Sequence, residues 1–171
     1  MFDPTAFDNL KTVLEGTIYD RDLDGTISIL KRHDLVDIAT LSRSYTIGFN
    51  SNGKLFEVDM MLKSDLKKLA SELLPDQKGT DFAGAAISIL FRKHSDSWTE
   101  DELEIFNNQW GENRCYELRT VSSNRQGAYS EMIIQFDRTI TEEMIDDVEE
   151  MVYFTIETID LLGKGKNGNN K

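Results

Sequence analysis

The chain is poor in the residues that staple or interrupt a fold. It holds one cysteine, Cys115, and two prolines among 171 residues. A lone thiol cannot close an internal disulfide, so the fold must rest on a buried core, and a reducing compartment is the natural setting. No apolar run approaches the roughly 20 residues of a membrane span. The opening MFDPTAFDNL has no basic stretch leading into an apolar one, so it does not read as a secretory signal. Positive charge is scarce too: 19 Lys and Arg stand against 31 Asp and Glu, a net charge of −12. That field repels phosphate backbones and anionic lipid, and the basic segments KRH and FRKH are too short to override it. No CxxC, HExxH, GxSxG or glycine-rich phosphate loop occurs. The expectation is a cytoplasmic protein with no nucleic-acid or membrane partner and no cofactor, with a lean away from catalysis.

What is present describes one globular domain. Hydrophobic residues make up 39% and charged residues 29%, enough for a core in a chain of this length. FDPTAF predicts a first helix, capped by Asp3 with Pro4 at its first position, stapled by Phe2 and Phe7, and closed by Gly16. TISIL alternates with period two and reads as a strand, followed by a short helix or turn over DLVDIATLSRS. YTIGF and KLFEVDMML flank Asn-Gly, a hairpin signal. Ser64 is expected to cap a leucine-rich helix that Pro75 ends, and AAISILFRK reads as a central strand. In SWTEDELEIF, Thr99 and Glu102 have the spacing of a capping box, and Trp98 and Leu103 that of its hydrophobic staple. CYELRTVS and YSEMIIQFD form a second hairpin, and a long helix runs from about Thr141 to Leu162. The order predicts an α+β domain over 1–162: a mainly antiparallel sheet of five to seven strands with about four helices packed on it. Residues 163–171, rich in Gly and Asn, read as a disordered tail.

Few residues carry chemistry by their spacing. Asp20, Asp22 and Asp24, with Gly25 after them, resemble the front of an EF-hand calcium loop. The twelfth position, which should be a bidentate glutamate, is Lys31, so the stretch reads instead as a hairpin turning at Asp24-Gly25. His33 and His94 belong to no motif and read as surface residues, and Cys115 reads as a small buried hydrophobe. Arg43, Tyr45, His94, Arg114 and Tyr116 fall near strand ends and could converge in a cleft, which keeps an enzyme or small-ligand binder as the alternative.

The last helix is the most informative segment. Met144, Val148, Met151, Val152, Thr155, Ile159 and Leu162 form one stripe at helical spacing, and Ile145, Tyr153, Phe154 and Ile156 widen it. One core contact needs an apolar stripe only about 100° wide. The surplus predicts a second contact through Ile145, Tyr153 and Ile156, taken up by a two-fold partner. The function expected from these features is a non-catalytic interaction or regulatory module that self-associates as a homodimer, with a basic protein surface as a further partner suited to its acidic balance.

Overall fold

The computed structural model describes residues 5–51, 55–73 and 83–167. Six strands make one sheet: β1 (Ile27–Asp37), β2 (Ser42–Ser51), β3 (Phe56–Ser64), β4 (Ala86–Lys93), β5 (Cys115–Ser123) and β6 (Gly127–Gln135). Their order is β1-β2-β3-β4-β6-β5, and every neighbouring pair is antiparallel. The helices are α1 (Ala6–Leu23), α2 (Leu66–Leu73), α3 (Glu100–Trp110) and α4 (Ile145–Asn167), the last entered through a 3-10 turn at Glu142–Met144. This is the α+β architecture that the element order predicts. Among the described residues no helix is long and apolar enough to cross a membrane.

Alternation decides which face is covered. Ile47 lies opposite Met60, which lies opposite Ile89, which lies opposite Ile134. Phe49, Val58, Phe91 and Met132 form the next row. All eight are buried, and α1, α3 and α4 supply Phe7, Leu10, Leu14, Phe106, Val148, Val152 and Ile159 to the same core. Each such side chain contributes about 1.5–3 kcal/mol on burial. Helix α4 packs between α1 and α3.

The other face carries charge in register. Glu57, Arg92, Glu131 and Arg119 are successive cross-strand partners on β3, β4, β6 and β5. Arg92 donates to Glu131 Oε1 at 3.0 and 2.8 Å and reaches Glu57 Oε2 at 3.5 Å. One row along, Lys31 of β1 crosses Gly48 of β2 to reach Asp59 of β3 at 2.8 Å. A Cβ on Gly48 would lie 2.5 Å from Asp59 Oδ1 and 2.8 Å from the Lys31 methylenes, so glycine here clears the way for the bridge.

Two polar links fix helices to the sheet. Thr99 and Glu102 form the predicted capping box at the start of α3. Glu102 Oε2 also accepts from Lys93 Nζ of β4 at 2.5 Å, and the two residues are only 6% and 4% exposed. On the other side, Asp34 of β1 accepts from Arg43 Nε at 3.1 Å and Nη2 at 3.0 Å and from Lys11 Nζ of α1 at 2.6 Å. Arg43 also donates to Asp8 of α1 at 2.7 Å, so these charges tie α1 to the β1–β2 hairpin. The Arg43 hydrogen bonds, seconded by Lys11, hold the Asp34 carboxyl down at about 2 against the opposing effect of partial burial.

Several boundaries differ from the sequence expectation. Helix α1 is capped by Thr5, whose hydroxyl accepts from the Asp8 N–H, and it passes through Gly16 without a break. Phe2, Asp3 and Pro4 lie outside the described residues. No hairpin turns at Asp24-Gly25: Asp24 caps α1, and Gly25 at φ 80° swings the chain into β1. Strand β1 continues through Leu35 and Val36 to Asp37. Asp65, not Ser64, caps α2 by accepting the Lys68 N–H, while the buried Ser64 hydroxyl donates to the Gly84 carbonyl. The Asn-Gly turn after Ser51 and Pro75 fall outside the described residues. Helix α4 runs to Asn167, five residues into the segment expected to be a disordered tail, and 168–171 lie outside the described residues.

Two expected outcomes follow from these links. Removing one partner of a buried ion pair leaves the other uncompensated, so Glu102→Ala should cost roughly 3–5 kcal/mol. Thr99→Ala, which removes only the cap, should cost about 1 kcal/mol, and urea denaturation will separate the two. Asp34 titrates below its usual 3.8 in the folded chain. Its contribution is therefore present above that unfolded value and lost as pH falls towards about 2. Asp34→Asn should be less stable than wild type at pH 7, with the gap closing on acidification. A gap independent of pH would show that the charge of Asp34 is not what stabilises.

Candidate functional sites

The three aspartates do not meet. Asp20 and Asp22 lie on the last turns of α1, where residues two apart point about 200° away from each other. Asp22 Oδ1 accepts the Ile29 N–H at 3.0 Å, pinning the start of β1 to the end of α1. Asp24 Oδ1 accepts both the N–H and the hydroxyl of Thr26, at 2.9 and 2.5 Å, and Asp24 pairs with Arg21 at 2.9 Å. These carboxylates organise a helix-to-strand corner.

The wide face of α4 is distributed differently from the expectation. Val148, Met151, Val152, Ile159 and Leu162 are buried on the core as predicted. Ile156 is also core, 6% exposed, so it is corrected from a partner-facing residue to a packing residue. Ile145 packs partly against the same core. Tyr153 stays exposed, its hydroxyl donating to Glu149 at 3.0 Å and its ring 5.5 Å from the Arg21 guanidinium. Most of the extra helix width is thus absorbed within the chain, because both α1 and α3 flank α4.

The five scattered polar residues stand in separate places. Arg43 lies over the Phe7 ring beside α1, and Tyr45 is fully buried, where burial pushes its hydroxyl pKa up. His94 is on the open sheet face, 3.4 Å from Glu57. A depression of about 490 Å³ lies there, lined by Glu57, Arg92, His94, Gln126 and Tyr129. Tyr116 donates its hydroxyl to the Gly111 carbonyl at 2.6 Å, closing the end of α3. His33 is exposed as expected, but Cys115 is exposed rather than buried, because β5 is an edge strand.

Arg114 alone of the five borders an aromatic cavity. About 300 Å³ opens between the end of α3, the segment after β6, and α4. Trp110, Phe136 and Phe154 form its apolar wall, with ring centres 5.8 Å apart for Trp110–Phe136 and 5.1 Å for Trp110–Phe154. Trp110 is fixed by its Nε1–H, which donates to Thr158 at 3.1 Å. Arg114 donates from Nε to the Trp110 carbonyl at 3.1 Å and lies 5.1 Å over the Phe136 ring. Arg138 pairs with Asp147 at 3.1 Å across the rim, and Glu150 borders it from α4.

A second unusual surface is the tip of the β1–β2 hairpin. Leu35, Val36, Ile38 and Leu41 are all exposed, Val36 by 66% and Ile38 by 82%. Leu41 sits at φ 53°, a left-handed conformation that favours glycine or asparagine. Asp37 shapes the turn by accepting the Ala39 N–H at 2.9 Å. The tip therefore holds leucine where both backbone geometry and solvent would favour a small polar residue. Spacing could not reveal this: the end of β1 reads as a short helix or turn in the sequence, and only the extended strand exposes these side chains.

No family model, curated protein or solved structure matches the chain.

If the aspartates are structural, Asp22→Ala should lower stability by roughly 1 kcal/mol through the freed Ile29 N–H. The loss should be the same with and without millimolar calcium in thermal unfolding. A site filled at a hundredfold over its dissociation constant would add about 2.7 kcal/mol to the wild type, and such a gain would contradict the assignment.

Proposed function

We propose that the protein is a non-catalytic interaction module that associates with a second copy of itself through the edge strand β1 and the β1–β2 tip, in a cytoplasmic setting. The observation that carries this is the exposed cluster of Leu35, Val36, Ile38 and Leu41, one of them held in left-handed backbone. A sequence that keeps an exposed leucine at a strained position places contact above local preference. An edge strand with unpaired backbone groups is also a template for pairing with another strand.

Charge along β1 favours a second copy as the occupant. Lys31, Arg32 and Asp34 already have partners within the chain, which leaves His33 and Asp37 without an ion pair among the described residues. An antiparallel copy paired about Leu35 would set His33 of one strand against Asp37 of the other, and a two-fold axis does this twice. A register irregularity between Ile29 and Lys31 disrupts the first part of the edge, which confines regular pairing to the second part. The homodimer expected from α4 is thus relocated to β1, with Tyr153 left as an exposed residue of α4. A basic protein surface is the second partner class, favoured by the exposed Glu142, Glu143, Asp146 and Glu149 around the start of α4.

Sedimentation velocity tests the proposal. Wild type should sediment as a dimer at micromolar concentration, and Val36→Lys or Ile38→Asp should release monomer without lowering the melting temperature. Leu41→Gly should weaken the dimer while raising monomer stability, since glycine relieves the left-handed strain. A wild type that stays monomeric at high concentration, or hairpin variants that remain dimeric, would reject this interface.

A further inference from the structure

We propose that the cavity between α3 and α4 binds a free α-amino acid with a large aromatic or apolar side chain. Size sets the first limit. At about 300 Å³ the cavity is at the lower end of small-molecule sites, which span roughly 300–1,000 Å³, so it suits a metabolite of amino-acid size rather than a nucleotide cofactor. Net charge sets the second, because a chain at −12 repels polyanions but is indifferent to a zwitterion.

The wall and rim set the rest. Trp110 and Phe136 are buried and held rigidly, while Phe154 remains partly exposed and borders the opening. An aromatic side chain would cover that ring and gain edge-to-face contact with it, and a branched one would cover it by apolar contact. At the rim, Arg138 and Asp147 satisfy each other. That leaves one cation and one anion available. Arg114 is anchored through Nε and stacked on Phe136, and its two terminal nitrogens have no hydrogen bond to a described residue. Those nitrogens form the fork that pairs with a carboxylate. Glu150, on α4, likewise has no ion-pair partner among the described residues, and its carboxylate suits an ammonium group. A cation and an anion bordering one small aromatic cavity match the α-carboxylate, α-ammonium and side chain of a single amino acid.

Isothermal titration calorimetry on the full chain decides this with four probes: phenylalanine, leucine, 3-phenylpropionate and 2-phenylethylamine. Phenylalanine and leucine should bind saturably, and each analogue with one charge should bind at least tenfold more weakly than phenylalanine. Arg114→Gln should weaken phenylalanine and phenylpropionate tenfold while leaving phenylethylamine unchanged. Glu150→Gln should do the converse. Glu150→Gln should keep the wild-type circular dichroism and melting temperature, and Arg114→Gln should keep the circular dichroism while melting slightly lower through the lost bond to the Trp110 carbonyl. No saturable heat with either amino acid at roughly millimolar concentration would overturn the assignment, as would phenylalanine affinity unchanged in both variants. A change in sedimentation on Arg114→Gln, without a change in amino-acid binding, would also overturn it and make the cavity a contact between copies. This site shares no residue with the β1–β2 tip, so its failure leaves the hairpin interface untouched and the reverse holds as well.

Discussion

The fold is governed by one constraint: a six-stranded antiparallel sheet is covered by helices on a single face. On the covered face, every second residue of β2, β3 and β4 must be apolar, and Tyr45 to Phe49, Phe56 to Leu62 and Ile87 to Phe91 obey that period. On the open face the same strands must satisfy water and one another, and they do so with charge pairs in register. The Glu57–Arg92–Glu131 row and the Lys31–Asp59 bridge over Gly48 are consequences of that one-sided burial. Glu131 is buried and Arg92 and Asp59 are largely covered, so these are partly buried pairs in which the cost of desolvation offsets much of the attraction. Their larger effect is on register, since a slip of one residue would turn Arg92 and Glu131 into the core and Phe91 and Met132 out of it.

Covering the sheet from one side also explains where the cavity arises. Helix α4 must pack between α1 and α3, and α3 is locked to β4 by the buried Lys93–Glu102 pair. The bridge between Ala85 and Ile140, at 3.0 and 2.8 Å, sets where the chain turns into α4. Gly84 is required there, because a Cβ would lie 2.0 Å from the Ile140 carbonyl oxygen. Trp110 at the end of α3, Phe136 after β6 and Phe154 on α4 line the space left between these elements, which is the aromatic cavity.

Local chemistry made the strongest parts of this arrangement legible in the sequence. Thr99 and Glu102 satisfy a capping box wherever the segment goes, so α3 could be placed from spacing alone. The strands that face the core announced themselves by alternation. What could not be read was set by tertiary contacts. Gly16 looks like a helix end, but Leu14 and Ile18 on either side are fully buried, and that packing carries α1 across it. Asp24-Gly25 has hairpin chemistry, yet the Asp22 side chain takes the Ile29 N–H and turns a helix end into a strand start. The same limit applied to sites: Ile156 has the composition of a second face but is covered by the chain's own neighbours. Arg114 and Glu150 border one cavity only because the end of α3 lies beside α4.

The two edges of the sheet are treated differently, and this bears on how copies could assemble. The β5 edge exposes Cys115 and carries a charged pair, Arg119 with Glu117 at 2.8 Å, next to a run of serines. The β1 edge carries the apolar tip. Pairing β1 of one copy with β5 of the next would be heterologous and would leave a free edge at each end, the geometry of a filament. It would set Leu35 and Val36 against a strand whose one exposed large apolar side chain among the described residues is Leu118. Pairing β1 with β1 about Leu35 would set that leucine against its own copy and His33 against Asp37, and would leave the two β5 edges outside. A net charge of −12 per chain then opposes further growth at any ionic strength where it is not screened. The asymmetry of the edges therefore favours a closed pair over an open polymer.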